Sequence, residues 1–341
     1  MKLDDFDYHL DESRIAQCPR RPRDSSKLLV VDRENNFTHT TFRRVVDFLE
    51  SGDLLVINDS KTIRARFYGK RESGGKCEIL LLKKNSSSDD WEVMVKPAKK
   101  IKTNDKIFVE DAVIEVVGEG EEGIRIIKFL NKSFIDVVKK YGRVPLPPYI
   151  KREDELKDRR DYQTVYAKEG FSVAAPTAGL HFTKRVLKEI QKKGVEIRRI
   201  RLDVGLGTFK GVTSQNLDEH KMHTENYYIS EESARSINKA LSENRRVIAV
   251  GTTVVRTLED QMLRFGRIVE GDYETDIFIK EPYNFKAVSG IITNFHLPRT
   301  TLLMLVSAFK SREIIFKAYK EAMNSGYFFY SYGDAMLLMN K

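Results

Sequence analysis

Apolar residues run along this chain in two rhythms. Across roughly 63–129 they form short runs, CEILLL, WEVMV, KIFV, VIEVV and GIRIIKF, parted by Gly, Asn, Asp and Lys clusters. Strands at such even spacing predict a small all-β barrel or sandwich. Elsewhere the pattern alternates. LLVVDR (28–33) and LLVIND (54–59) read as strands. Between them TFRRVVDFLESGD (41–53) keeps helical spacing at Phe42, Val45, Val46 and Leu49, with Gly52 as its stop. Downstream, FSVAAP, VEIRRIRLDVG, VIAVGTT and IITNFHL read as strands, and FTKRVLKEIQKKG, SEESARSINKALSENR, VVRTLEDQMLRFG and TTLLMLVSAF as helices. Gly194 ends the first of these helices, and Ser230 caps the second. Such alternation predicts an α/β core with parallel strand pairs. The β-rich block, 63–150 with a short helix at 134–140, therefore reads as an insertion into a larger α/β domain formed by 1–62 and 151–341. Its proline-rich exit VPLPPYI (144–150) cannot continue a helix or a central strand and is expected to be a hinge or linker.

Composition narrows the setting. The chain has 341 residues, 41 % hydrophobic and 32 % charged, an ordinary globular mix with room for two domains. No stretch approaches the roughly 20 apolar residues of a membrane helix. The acidic opening MKLDDFDYHL lacks an apolar signal core, and only Cys18 and Cys77 are present. Both features suit a cytoplasmic protein with free thiols and argue against a disulfide framework or a four-cysteine zinc site. A net charge of +9 favours a polyanionic partner, though many basic proteins bind no nucleic acid.

Polar residues gather where strands end, the usual place for function in α/β sheets. YQTVYAKEGFSVAAPTAGLHF (162–182) offers small residues for close backbone approach, and His181 as a general base or donor. The competing reading of His181 is a packed, satisfied histidine. LDVGLGTFKGV (202–212) pairs Gly205 with Gly207 but lacks the third glycine of a dinucleotide fingerprint. HKMHTENYYI (220–229) offers His220, His223 and Glu225 as a possible metal-ligand set, since the i, i+3 spacing of the two histidines would place them on one face of a helix. Acid–base work or plain packing fits that trio better than a metal, since no zinc-protease pattern accompanies it. VGTTVVRTLE (250–259) and TNFHLPRTTLLML (293–305) place Thr252, Thr253, Asn294 and His296 at strand ends. Thr252 and Thr253 serve either as helix caps or as ligand contacts.

These elements together resemble the S-adenosylmethionine:tRNA ribosyltransferase-isomerase family. The likeness runs nearly end to end, through DFDYHLDESRIAQCPRRPRDSSKLLVVDR, GDLLVINDS, PLPPYI, YQTVYA, VAAPTAGLHF, VGLGTF, VIAVGTT, TDIFI, ITNFHLP and SYGDAML. Single elements are weak, but the ordered set is specific. Two positions depart from the family pattern: Asp203 stands where His is usual, and Arg64 where Pro is usual.

The resemblance implies a large, barrel-like mixed α/β domain with an inserted small all-β barrel. It implies that the ribosyl part of S-adenosylmethionine is transferred and isomerised onto 7-aminomethyl-7-deazaguanine at the tRNA wobble position. Epoxyqueuosine-tRNA, adenine and methionine are the products. S-adenosylmethionine is then a consumed cosubstrate, with no separate cofactor or metal, and a monomer acting on tRNA away from any membrane is expected. The sulfonium acidifies the ribose C5′ hydrogens, so the site needs a base, an acid for adenine and donors for developing oxyanions. Carried onto this chain, the catalytic candidates are His181, His223, Glu225 and His296. Thr177, Gly179, Gly205, Gly207, Thr253, Arg256 and Asn294 are the candidates for binding S-adenosylmethionine. Arg256 is placed to hold the methionine carboxylate or, alternatively, to pair with Glu259 on a helix surface. Lys76, Lys96, Lys99 and Lys100, with Lys83 and Lys102, are candidates for phosphate contacts. The rival readings are an S-adenosylmethionine-dependent RNA methyltransferase and a non-catalytic RNA-binding protein. The first lacks a glycine-rich motif after an opening strand.

Overall fold

Strands buried on both faces read as unbroken apolar runs, whereas strands with one wet face alternate. That distinction orders the large sheet. A computed structural model describes residues 1–85, 88–120, 123–205, 212 and 214–340. Its elements begin with β1 (Lys27–Val31), β2 (Phe37–Thr41), β3 (Leu54–Asn58) and β4 (Ser60–Thr62). Next come β5 (Arg66–Arg71), β6 (Lys76–Lys84), β7 (Trp91–Lys96), β8 (Lys106–Val109), β9 (Ala112–Glu119) and β10 (Ile124–Phe129). Then follow α1 (Phe134–Tyr141), α2 (Asp158–Asp161), β11 (Glu169–Ser172), α3 (Lys184–Lys192), β12 (Glu196–Asp203) and β13 (Glu225–Ile229). The remainder is α4 (Glu231–Ser242), β14 (Val247–Val250), α5 (Thr252–Phe265), β15 (Gly271–Thr275), β16 (Gly290–Asn294), α6 (Thr301–Lys310), α7 (Arg312–Asn324) and β17 (Ala335–Met339).

Nine strands form one mixed sheet in the order β15-β13-β12-β3-β14-β16-β17-β1-β2. The four central strands β3, β14, β16 and β17 are buried along their whole length. Towards one edge, β13 and β15 alternate buried and wetter positions. Parallel pairing of β3 with β12 and β14, and of β14 with β16, brings four carboxyl ends to one edge of the sheet. The inserted block closes into a six-stranded barrel, β10-β7-β6-β5-β8-β9, with antiparallel neighbours throughout. Closure leaves no free edge. Inside it pack Phe67, Ile79, Leu81, Trp91, Val93 and Ile114. The expected mixed α/β fold with an inserted β-barrel is thus what the chain forms, and among the described residues the large sheet stays open.

Several local expectations change. Phe42–Phe48 winds as a 3₁₀ helix instead of an α-helix. Phe42 and Val45 are its buried residues, and a three-residue turn stacks i over i+3. The proline-rich exit is not a free hinge. Val144, Leu146 and Ile150 are buried against Tyr162, Leu180 and Tyr332. β2, β13, β15, α7 and β17 had no counterpart in the apolar pattern. The SYGDAML segment proves structural in part. Buried Asp334 accepts from the Lys27 N–H at 2.7 Å, the Phe328 N–H at 2.8 Å and the Arg20 Nε at 3.1 Å. One carboxylate so fixes the entry of β17 beside β1.

Candidate active site

The carboxyl ends of β12, β14 and β16 supply the floor of the cleft, and the end of β3 braces them from behind. β3 ends in Asn58, whose Nδ2 donates to the Leu202 carbonyl at 2.9 Å and to Thr253 Oγ1 at 3.3 Å. β14 ends at Val250, and Gly251, with φ +88°, turns the chain into α5. Gly251 is the N-cap and makes no side-chain cap bond, so the threonines after it are not the cap. The cleft runs from Gly251, Thr253 and Arg256 of this turn to Asn294 and His296 beyond β16, under Thr177. Tyr149 and Tyr330 close one side, stacked with ring centroids 4.7 Å apart. Tyr330 holds a left-handed backbone, φ +68°, which a bulky residue adopts only where its surroundings impose it. Its hydroxyl is buried and has no partner among the described residues.

Asn294 is the hub of the polar network. Its Oδ1 accepts from the Thr177 hydroxyl at 2.9 Å, and its Nδ2 donates to the Tyr330 carbonyl at 3.1 Å and to His181 Nε2 at 2.9 Å. His181 must therefore carry its proton on Nδ1, which donates to Ser26 Oγ at 2.9 Å. Both ring nitrogens are used, and the ring lies behind the cleft, packed on Phe42. Burial, reinforced by Arg23, lowers its pKa from 6.5 to about 3. Of the two readings of His181, this geometry favours the packed, satisfied histidine, which positions Asn294 from behind the cleft. His296 does line the cleft, with Nε2 bonded to Thr293 Oγ1 at 2.9 Å. Tyr319 and Tyr8 clamp its backbone from either side. Burial lowers its pKa to about 3 as well. It therefore faces the cleft as neutral imidazole.

Glu225 and Arg256 form a buried ion pair. Glu225 Oε1 accepts from the Gly205 N–H at 3.1 Å, and Oε2 from Arg256 Nη1. Arg256 Nε donates to the Ile277 carbonyl at 3.3 Å, while its buried Nη2 has no partner among the described residues. The alternative pairing with Glu259 does not form, because Glu259 instead accepts the N–H groups of Lys286, Ala287 and Val288. Glu225 and Val204 also line a second cavity, between the barrel rim and the end of the β12–β13 pair. There stand Phe171, Asp203, Gly205, His223 and Lys83. Asp203 Oδ1 accepts from the Ser60 hydroxyl and from the Phe171 N–H at 3.2 Å. Burial raises its pKa above the ordinary carboxylate value.

The helix that would have set His220 and His223 on one face does not form. Glu225 opens strand β13, and His220 follows a short 3₁₀ turn and packs on Phe278. Strand geometry keeps only His223 and Glu225 on a common cavity. Gly179 is displaced too. A side chain there would collide with the Tyr166 hydroxyl, so the glycine serves packing, and it does not line the cleft. Gly207 lies outside the described residues. Lys76, Lys96, Lys99 and Lys100 are exposed at the barrel end away from the second cavity, whereas Lys83 lines it. Seven residues of strand separate Lys76 from Lys83, roughly 20 Å. Arg64 reaches the Lys139 carbonyl at the end of α1, away from either cavity. The tyrosine wall was missed. Its signal lay in the aromatic run YFFYSY and in the tyrosine of PLPPYI, read only for its prolines.

The barrel rim thus stands against the carboxyl edge of the mixed sheet, and two cavities meet at one buried ion pair. A family profile described as queuosine biosynthesis protein matches residues 3–338. The chain is 49 % identical over 341 residues to the S-adenosylmethionine:tRNA ribosyltransferase-isomerase of Fusobacterium nucleatum, covering 98 % of this chain and 96 % of the relative. It is 49 % identical over 343 residues to the protein of that name from Carboxydothermus hydrogenoformans, covering 99 % and 100 %. The solved S-adenosylmethionine tRNA ribosyltransferase of Thermotoga maritima matches with a TM-score of 0.56 at 35 % identity, over 98 % of this chain and 100 % of that one. The chain belongs to the queuosine biosynthesis protein family.

The two buried imidazoles carry a stability consequence. Each is neutral when folded down to about pH 3, but titrates near 6.5 when unfolded. Between those values the unfolded chain binds protons that the folded chain refuses. Stability is therefore full above the unfolded pKa and falls with acidification. From pH 7 to pH 5 each ring should cost about 2 kcal/mol. Urea unfolding at both pH values should show the fall reduced by about that amount in His296→Gln; an undiminished fall counts against the assignment.

Proposed function

We propose that the protein transfers and isomerises the ribosyl group of S-adenosylmethionine onto 7-aminomethyl-7-deazaguanine in the anticodon of tRNA, releasing adenine and methionine. The observation that carries this reading is the pair of cavities meeting at Glu225, because the reaction must bring a sugar carbon and an amine together across one proton acceptor. S-adenosylmethionine occupies the cleft between the α5 turn and the tyrosine wall. Its methionine carboxylate meets the N-terminus of α5 and the unpartnered Nη2 of Arg256, two features suited to an anion. Thr253 and Thr177 meet the sugar hydroxyls, and neutral His296 offers a hydrogen bond to the departing adenine, which takes its proton from solvent on release. Glu225, with His223 beside it, takes the proton from the attacking amine or from the sugar carbon. The walls exclude water, which would otherwise trap a reactive intermediate. No helix among the described residues is long and apolar enough to cross a membrane. We place the enzyme in the cytoplasm as a monomer, a reading that the free thiols of Cys18 and Cys77 support.

The decisive experiment supplies cosubstrate labelled separately in the methyl and the ribose. Ribose label enters tRNA and methyl label leaves with methionine; methyl label in tRNA would restore the methyltransferase reading. For Arg256, the substitution to Lys keeps the charge opposite Glu225 and removes the fork. Wild type should handle decarboxylated S-adenosylmethionine with a KM raised roughly 10- to 100-fold. Arg256→Lys should raise the KM of the intact cosubstrate by a similar factor and lose most of that discrimination; unchanged discrimination would remove Arg256 from the carboxylate site. Lys76, Lys96, Lys99 and Lys100 are proposed to meet phosphates of the anticodon stem. Lys99→Glu with Lys100→Glu should weaken tRNA binding and lower the slope of log Kd against log salt by about two. An unchanged slope places the RNA elsewhere.

A further inference from the structure

We propose that the second cavity is the subsite for the acceptor base: a guanine-type ring stacks on Phe171, and Asp203 reads the donors of its Watson–Crick edge. The inference rests on the reaction proposed above and goes on to say which groups select the base.

Phe171 is 49 % exposed, although it sits in a structured strand. Its ring is not loose. It packs against Trp91, with centroids 6.2 Å apart at 70°, and against Phe134, also at 6.2 Å. An aromatic ring braced from behind and open in front is a stacking platform, the device by which proteins hold unpaired bases of RNA loops.

Asp203 stands beside it with one oxygen committed. Oδ1 is held by Ser60 and by the Phe171 N–H, so the carboxylate and the platform are fixed to each other. Gly170 makes this possible. Its φ is +120°, and a Cβ there would lie 2.5 Å from Oδ1. Oδ2 has no hydrogen bond among the described residues, and its nearest described cation is Arg201 Nε at 3.9 Å. A half-buried carboxylate with a free oxygen beside an open aromatic face suits a base that presents N–H donors. Guanine-type bases present two there, the ring N1–H and the exocyclic 2-amine. Adenine, cytosine and uracil lack that pair.

In the β12–β13 register Asp203 pairs with Asn226, which puts those two side chains on one face and Glu225 on the other. Asp203 and Glu225 nevertheless line the same cavity, which wraps the strand ends. On 7-aminomethyl-7-deazaguanine the aminomethyl group and the 2-amine lie on opposite sides of the bicycle. One ring therefore spans the two carboxylates, with its 2-amine at Asp203 and its nucleophilic nitrogen at Glu225, facing the cosubstrate cleft.

The test uses the full-length enzyme and two anticodon stem-loops, one carrying 7-aminomethyl-7-deazaguanine and one carrying the same base without its 2-amine. Wild type should prefer the first by 10- to 100-fold in kcat/KM, read as adenine release. Asp203→Ala should narrow that preference to within about threefold. This ratio is insensitive to any loss of folded protein. Phe171→Ala should lower kcat/KM for both RNAs at least tenfold and leave the KM for S-adenosylmethionine within about twofold. A wild-type enzyme without preference, or an Asp203→Ala variant that keeps it, overturns the proposal. A loss confined to the cosubstrate KM assigns the cavity to S-adenosylmethionine and overturns it as well. Absence of adenine release by wild type with either RNA overturns the reaction itself, and the subsite with it.

Discussion

The site is organised around one desolvated ion pair, Glu225 with Arg256. Burying opposite charges is expensive, and the cost is recovered only when the remaining donors and acceptors are satisfied. Glu225 meets that condition through the Gly205 N–H, whereas Arg256 leaves one nitrogen unspent. The pair therefore stands rigid on one side and incomplete on the other. Strand β13 and helix α5 are held together at the point where the two cavities touch, and the incomplete side opens on the cleft that the cosubstrate reading requires.

The rest of the cleft follows the same economy of polar groups. Asn294 spends its amide on Thr177, His181 and the Tyr330 carbonyl, which links a loop, a buried histidine and the left-handed turn of the C-terminal segment. The positioning comes from backbone-anchored groups behind the surface, and the cleft itself presents few side chains that titrate near neutrality. Histidines that look catalytic in a sequence can be kept neutral by burial and used as hydrogen-bonding struts.

Legibility of the sequence tracked burial. β3, β14 and β16 were readable because they are dry on both faces and so appear as plain apolar runs. β17 is equally dry but follows a turn-rich aromatic segment, and its run passed as an extension of that motif. The edge strand β2 and its counterpart near the other edge, β13, carry threonines, glutamate and asparagine, and no apolar run marks them. In the site, Thr177, Glu225, Thr253, Arg256, Asn294 and His296 line one cleft, most of them at or just past the carboxyl ends of strands and Glu225 at the start of β13. Gly179 and His181 were near in sequence but lie behind it. The Tyr149–Tyr330 wall was invisible, since its two members are far apart in the chain and meet only through tertiary packing.

The position of β17 has a consequence for how the molecule is made. This last strand lies between β16 and β1, and β1 has no other partner in the sheet except β2. The first strands to leave the ribosome thus have nowhere to dock until the final ones appear. Two exposed strand edges must wait through synthesis of everything between them, a standing hazard for pairing with other chains. Without β17 the β1–β2 hairpin would keep its packing on α7 but lose its parallel partner, which makes this strand the clasp of the large sheet.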